Sequence, residues 1–202
     1  MSLELSGVIL AGGQSRRMGR DKSQLTLDGE TLVARAVRVL SALSDDLVVV
    51  TNTQETYAGL NARLIGDRIP GGGALSGVHA GLLAARYDAA AVVACDMPFL
   101  NVPLLRHMAH LSPGYDVVVP RWQSEVEPLH AIYSRNCIAA IEPVLRRGGG
   151  RIFELYAHLA VRYLEPEEVI RFDPEGLSFF NINSPEDWIR AQELAARTGD
   201  RP

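Results

Sequence analysis

Short apolar runs, each emptying into a loop rich in Gly, Asp or Asn, recur through the first half of the chain with helical patterns between them. Residues 6–11 end in Gly12-Gly13, residues 47–50 in Thr51-Asn52, residues 62–65 in Gly66-Asp67, and residues 89–95 in Asp96. Such runs read as strands buried on both faces, the habit of a parallel sheet whose crossover helices cover it. Thr31 stands as N-cap before apolar residues at helical spacing to residue 43, and a second helix is expected over residues 76–86. Asn101 caps a third, with Pro103 in its first turn, where a missing N–H costs little.

Further strands are expected at residues 115–119, 129–133, 161–164 and 177–182, with helices at 135–147 and 151–157. Ser184, Pro185, Glu186 and Asp187 open a final helix with a Ser cap, Pro in the first position and acids in the first turn. Strand–helix alternation of this kind predicts an α/β fold: one domain over residues 1–202, a mostly parallel sheet with helices on both faces. Ligands of open α/β sheets bind at the carboxyl ends of the strands, near the point where strand order reverses. That rule makes residues 12–22, 51–53, 67–75 and 96–100 neighbours in space.

A chain of 202 residues can bury roughly 70% of its unfolded surface, so its core needs no disulfide or structural metal. Its net charge is −4, which provides no positive field for nucleic acid. The apolar runs fall far short of the roughly 20 residues that span a bilayer, and no basic, apolar leader opens the sequence. A reducing cytoplasm suits Cys95 and Cys137, which sit in apolar surroundings and are expected to be buried free thiols. The histidines show neither HxxxH nor HExxH spacing, and no serine or cysteine sits in a GxSxG elbow. Zinc and covalent catalysis find no support.

Of 20 basic residues only one is lysine, Lys22. Where arginine serves every generic need for a cation, a lone lysine marks a place that wants a compact ammonium. It closes the loop LAGGQSRRMGRDK (residues 10–22), where Gly12 and Gly13 leave backbone N–H groups open to phosphate oxygens and Arg16, Arg17 and Lys22 add charge. The loop is neither a GxxxxGK[ST] P-loop nor a GxGxxG fingerprint. Asp96, projecting from a strand end, suits Mg²⁺, which takes few protein ligands. Asp67 follows the third strand in the same way. His130 is expected to line the cleft, and Asn181 and Asn183, two apart, to point into it together.

LAGGQSRRMGRDK, GGGALSG (residues 71–77), ACDMPFL (94–100), PLHAIY (128–133) and FNINSPED (180–187) together resemble the molybdenum cofactor guanylyltransferase family. The resemblance implies a Rossmann-like nucleotidyltransferase fold, GTP and Mg²⁺, molybdopterin or its molybdenum-loaded form as acceptor, and transient contact with cofactor-delivering proteins or molybdoenzymes. By motif position Leu10, Ala11, Gly12 and Gly13 meet the guanine nucleotide, Lys22 its phosphates, Asn52 and Asp67 the nucleoside, and Asp96 the metal. Arg16, Lys22 and Asp96 then carry catalysis, and His130, Asn181 and Asn183 the acceptor. Nucleotide binding falls to about residues 1–100 and acceptor binding to about 101–202. The family's cytidylyl-transferring relatives look to carry LAAG where this chain has LAGG. Cytidylyl transfer, nucleotidyl transfer to a sugar phosphate, and a non-catalytic nucleotide-binding regulator stand as alternatives.

Overall fold

The structure, a computed structural model, describes residues 4–12 and 22–198. Strand β1 (Leu5–Leu10) is followed by a small hairpin of β2 (Thr26–Leu27) and β3 (Glu30–Thr31), then by helix α1 (Leu32–Ser41) and β4 (Asp46–Val50). Next come β5 (Arg63–Ile65), α2 (Ala74–Ala84), β6 (Ala89–Ala94) and α3 (Val102–Leu111). Then follow β7 (Val117–Trp122), β8 (Glu125–Val126), β9 (His130–Ser134), α4 (Cys137–Arg146), β10 (Val161–Leu164), α5 (Pro166–Val169) and α6 (Pro185–Thr198).

The main sheet runs β10-β7-β9-β6-β1-β4-β5, with β8 paired to β7. β1 lies parallel to both β4 and β6, β4 to β5, and β10 to β7, whereas β9 is antiparallel to β6 and β7. From β1 the chain steps outward to β4 and β5, then returns to the opposite side of β1 as β6. The order therefore reverses at β1 and β6, whose carboxyl ends lie side by side.

Alternation along β1 sends Leu5 and Ile9 into the core layer beneath α1 and α3, and Val8 and Leu10 into the layer beneath α2 and α4. Each such side chain, fully buried, contributes about 1.5–3 kcal/mol. α1 is amphipathic, burying Leu32, Val33, Ala36, Val37 and Leu40, and the Thr31 hydroxyl caps it by accepting the Ala34 N–H. α2 is buried on nearly every face because it lies between the sheet and α4. It comes so close to β1 that a Cβ on Gly81 would meet Val8 at 2.3 Å. A third, smaller core joins Leu27 and Leu32 to Ile182, Ala191 and Ala195, tying the hairpin to α6.

One expected strand is absent. Residues 177–182 form no strand: Leu177–Phe179 is a 3₁₀ turn, and only the Ile182 N–H reaches toward the sheet, bonding the Asp96 carbonyl at 3.0 Å. The buried Asp173 carboxylate accepts the N–H groups of Leu177 (3.1 Å) and Ser178 (2.7 Å), and Gly176 is left-handed with φ +65°. An Asp side chain that satisfies the backbone locally removes the need for a ladder. The helix expected at 151–157 is present over Ile152–His158, in 3₁₀ form. Unforeseen was the hairpin, although Asp28 (φ 53°) and Gly29 (φ 82°) form the Asp-Gly pair that favours such turns.

Candidate active site

Three backbone bonds align the carboxyl ends of the central strands. Ala11 N–H donates to the Val50 carbonyl (2.9 Å), Cys95 N–H to Leu10 (3.1 Å) and Thr51 N–H to Ile65 (2.7 Å). The loops leaving β1, β4, β5 and β6 thus start at one level.

Lys22 returns the chain to that level. Its ammonium stands 3.9 Å from the Asp96 carboxylate and donates to Asn183 Oδ1 at 3.0 Å. The two charged side chains are 15% and 27% exposed, screened enough for their attraction to matter yet open to a ligand. Asn183 is held in turn by the Asp187 carboxylate, which accepts the N–H groups of Asn183 and Ser184, each at 2.8 Å. Those bonds, the Asn183 N–H above all, keep the Asp187 carboxyl below its ordinary range, and the Lys22 charge adds to the effect.

Burial pushes the Asp96 carboxyl up, and the Lys22 ammonium pulls it partly back. A desolvated carboxylate with one cation at ion-pair distance gains from a second, so Asp96 fits a divalent metal. Among the described residues no group of three or more His, Cys, Asp and Glu side chains could hold a metal. A divalent cation on Asp96 would draw few ligands from the described residues.

On the β4–β5 side Asn52 and Asp67 bind each other twice. Asn52 Nδ2 donates to the Asp67 carboxylate, and Asp67 N–H donates to Asn52 Oδ1, both at 3.0 Å. Thr51 is buried, its hydroxyl 3.3 Å from that of Thr53, leaving Asn52 as the exposed amide after β4. Leu10 and Ala11 are buried side chains that offer a ligand only backbone. Gly12 is exposed, and a Cβ there would meet nothing nearer than the Val50 carbonyl at 4.0 Å. Gly13 and Arg16 lie outside the described residues.

Beyond β5, Ser76 fastens the glycine loop to α2: its hydroxyl donates to the Ile69 carbonyl (2.6 Å) and accepts the Gly72 N–H (3.0 Å). Gly73 precedes the helix at φ 59° and ψ −134°, a conformation that side chains disfavour.

His130 does not line the cleft. Strand alternation puts it on the same face as Ile132, within the core, where it is fully buried with its ring edge against Phe179 at 5.3 Å. Burial drives its imidazole down to about 4, so it is neutral. The expected pairing of Asn181 with Asn183 also divides: Asn181 Nδ2 donates to the Phe179 carbonyl at 3.0 Å, while Asn183 serves Lys22. Both cysteines are buried free thiols as expected, and burial pushes Cys137 up to about 12.

Two positioning residues escaped the sequence reading. The Tyr57 hydroxyl donates to the Ala11 carbonyl (3.1 Å) and lies 2.7 Å from the Ser23 hydroxyl, joining the two ends of the basic loop. Nothing in its polar sequence neighbourhood announces this. Arg35 sits on the apolar face of α1 and donates from Nε to the Pro98 carbonyl at 2.8 Å, steadying the loop after Asp96. A charge on the buried face of a helix was the available signal.

The model of the MobA-like NTP transferase domain matches residues 7–161. The chain belongs to this family. It is 40% identical over 199 residues to a "Probable molybdenum cofactor guanylyltransferase" of Pelotomaculum thermopropionicum, covering 98% of this chain and 97% of the relative. A molybdenum cofactor guanylyltransferase of Desulfosudis oleivorans is 39% identical over 197 residues, covering 96% and 97%. The solved molybdopterin-guanine dinucleotide biosynthesis protein A of Archaeoglobus fulgidus superposes with a TM-score of 0.84 at 30% identity, over 95% of this chain and 99% of the other.

Membership makes this MobA-like chain a nucleotidyltransferase. Enzymes of that class bring polyanions together and work with a divalent metal. No helix among the described residues is long and apolar enough to cross a membrane.

Proposed function

We propose that the chain transfers GMP from GTP to the phosphate of molybdopterin, or of its molybdenum-loaded form, and releases pyrophosphate. The observation that carries the reading is the meeting of Lys22 and Asp96 at the strand-order reversal. It lies between the Asn52–Asp67 pair on the β4–β5 side and the Asn181 segment on the β7–β9 side. A nucleotide on one flank and an acceptor on the other would meet at that ion pair.

The acceptor phosphate attacks the α-phosphorus of GTP, and the bond to the leaving pyrophosphate breaks. A phosphate nucleophile is already ionised near neutrality, so no general base is required. Positioning and charge neutralisation supply the rate. Lys22 and Arg16 offset negative charge on the triphosphate, and Asn183 aims the Lys22 ammonium. Asn52 and Asp67 orient the nucleoside, while the backbone of Leu10, Ala11, Gly12 and Gly13 approaches the nucleotide. Mg²⁺ on Asp96 supplies further neutralisation of phosphate charge when bound. Nucleotide binding thus falls mainly to residues 1–100 and acceptor binding to 101–202, in a protein we expect in the cytoplasm.

The open space at Gly12 favours the larger guanine nucleotide over the cytidylyl alternative. Incubation of the chain with GTP or CTP, Mg²⁺ and molybdopterin, with pyrophosphate release as readout, tests the reading. Release with GTP supports it; release with CTP alone transfers the assignment to the cytidylyl alternative.

A further inference from the structure

On the β7–β9 side of the ion pair lies a cavity of about 530 Å³, within the range of roughly 300–1,000 Å³ typical of small-molecule sites. Trp122, Phe179 and Phe180 form its apolar wall, and Glu127 and Asn181 are set among them. Trp122 and Phe179 pack with ring centroids 5.8 Å apart. The indole also lies over Gly176, where a Cβ would come within 2.1 Å of it. The aromatic wall is therefore tightly packed.

Carboxylates dominate the polar lining of this cavity, which holds Glu125, Glu127, Glu175 and Asp187. Glu127 is half-buried, and its carboxylate has no hydrogen-bond or ion-pair partner among the described residues. Asn181 spends one amide N–H on the Phe179 carbonyl at 3.0 Å, and its Oδ1 faces no described donor. Glu125 and Glu175, also lining the cavity, make it hostile to a triphosphate. What fits is a flat, uncharged ring bearing adjacent N–H donors, entering with any phosphate turned toward Lys22.

We propose that Glu127 recognises the pterin ring of the acceptor, its carboxylate accepting hydrogen bonds from ring N3–H and the 2-amino group while the ring lies against the wall of Trp122 and Phe179. This rests on the reading that molybdopterin is the acceptor. Two parallel bonds from adjacent donors to one carboxylate are the strong, geometrically selective kind. Without ligand, burial and the neighbouring Glu125 charge push the Glu127 carboxyl up to about 7. The donor pair would relieve that cost by stabilising the ionised form.

Titration of the full chain with 6-hydroxymethylpterin and with 6-hydroxymethyllumazine, which replaces the 2-amino group by a carbonyl, tests the assignment. The wild-type chain is expected to prefer the pterin by about tenfold to a hundredfold, the worth of one hydrogen bond to a charged group. Glu127→Gln is expected to abolish that preference and to raise KM for molybdopterin by a similar factor, with KM for GTP and kcat unchanged. Glu127→Asp should recover part of the preference. Equal binding of the two rings by the wild-type chain overturns the inference, as does a preference that survives in Glu127→Gln. If the wild-type chain releases no pyrophosphate from GTP and molybdopterin, the underlying reading falls and takes the inference with it, an arm that involves no variant.

Discussion

Lys22 donates a hydrogen bond to Asn183 at 3.0 Å across 161 positions of sequence. The ammonium is therefore aimed by an amide from the far end of the chain, which on the proposed function makes Asn183 part of the phosphate apparatus. Asn183→Ala is expected to weaken GTP binding by about 1.5–3 kcal/mol, the range for a hydrogen bond to a charged group. Asn181→Ala, on the cavity side, should spare GTP and weaken the acceptor. Calorimetric titration with GTP compares them; equal GTP affinities in the two variants would contradict this division.

Asp96→Ala should separate activity from stability. Removing one key electrostatic group costs about 2.7–4 kcal/mol in the transition state, so pyrophosphate release should nearly cease. The folded state holds the Asp96 proton more tightly than the unfolded state, because burial raises its pKa. Stability therefore falls as pH rises above the ordinary carboxylate value, and at neutral pH the ionised side chain is a burden to the fold. The variant should melt at or above the wild-type temperature, which thermal denaturation checks.

Glu127 adds a pH signature of the same sign. Its folded pKa is raised to about 7, so the folded state binds more protons between the unfolded value and about 7, and stability declines through that window. Glu127→Gln removes the titration. The Tm difference between variant and wild type should grow in the variant's favour from about pH 5 to about pH 8, and a constant difference would show that the carboxylate is well solvated.

Tyr57→Phe removes one hydroxyl that touches both Ala11 and Ser23. The hydrogen bonds lost are worth about 0.5–1.5 kcal/mol each, and Ala11 and Ser23 lose the group that joins them. A lower Tm together with a raised KM for GTP is expected. A stability loss without any change in KM would make the hydroxyl purely structural.

Two glycines should answer differently to alanine. At Gly12 a Cβ meets nothing nearer than 4.0 Å, so Gly12→Ala should keep its Tm and lose only nucleotide use, by about 1–3 kcal/mol if the base fills the space. At Gly176 the backbone is left-handed and a Cβ would lie 2.1 Å from the Trp122 ring, so Gly176→Ala should lower Tm and shift indole fluorescence. An unchanged GTP-over-CTP preference in Gly12→Ala would move base discrimination toward residues 73–77.

The strands at 47–50 and 161–164 and the caps Thr31 and Asn101 were legible in the sequence because each depends on a few adjacent residues. Apolar runs meet the sheet on both faces, and a cap hydroxyl or amide bonds an N–H three positions on. Lys22 and Asp96 were legible as well, one as the lone lysine and the other as a strand-end acid. Residues 177–182 misled because their apolar pattern suits a strand, while the buried Asp173 carboxylate satisfies the backbone locally and turns the chain. His130 misled in another way: alternation fixes which residues share a face, and only packing decides which face is the core. That Asn183 reaches Lys22, that Tyr57 closes the loop of Ala11 and Ser23, and that Glu127 is left unpaired beside Trp122 were decided by tertiary structure alone. Each is a contact between segments distant in sequence, set by strand order and helix packing, and local pattern carries no record of it.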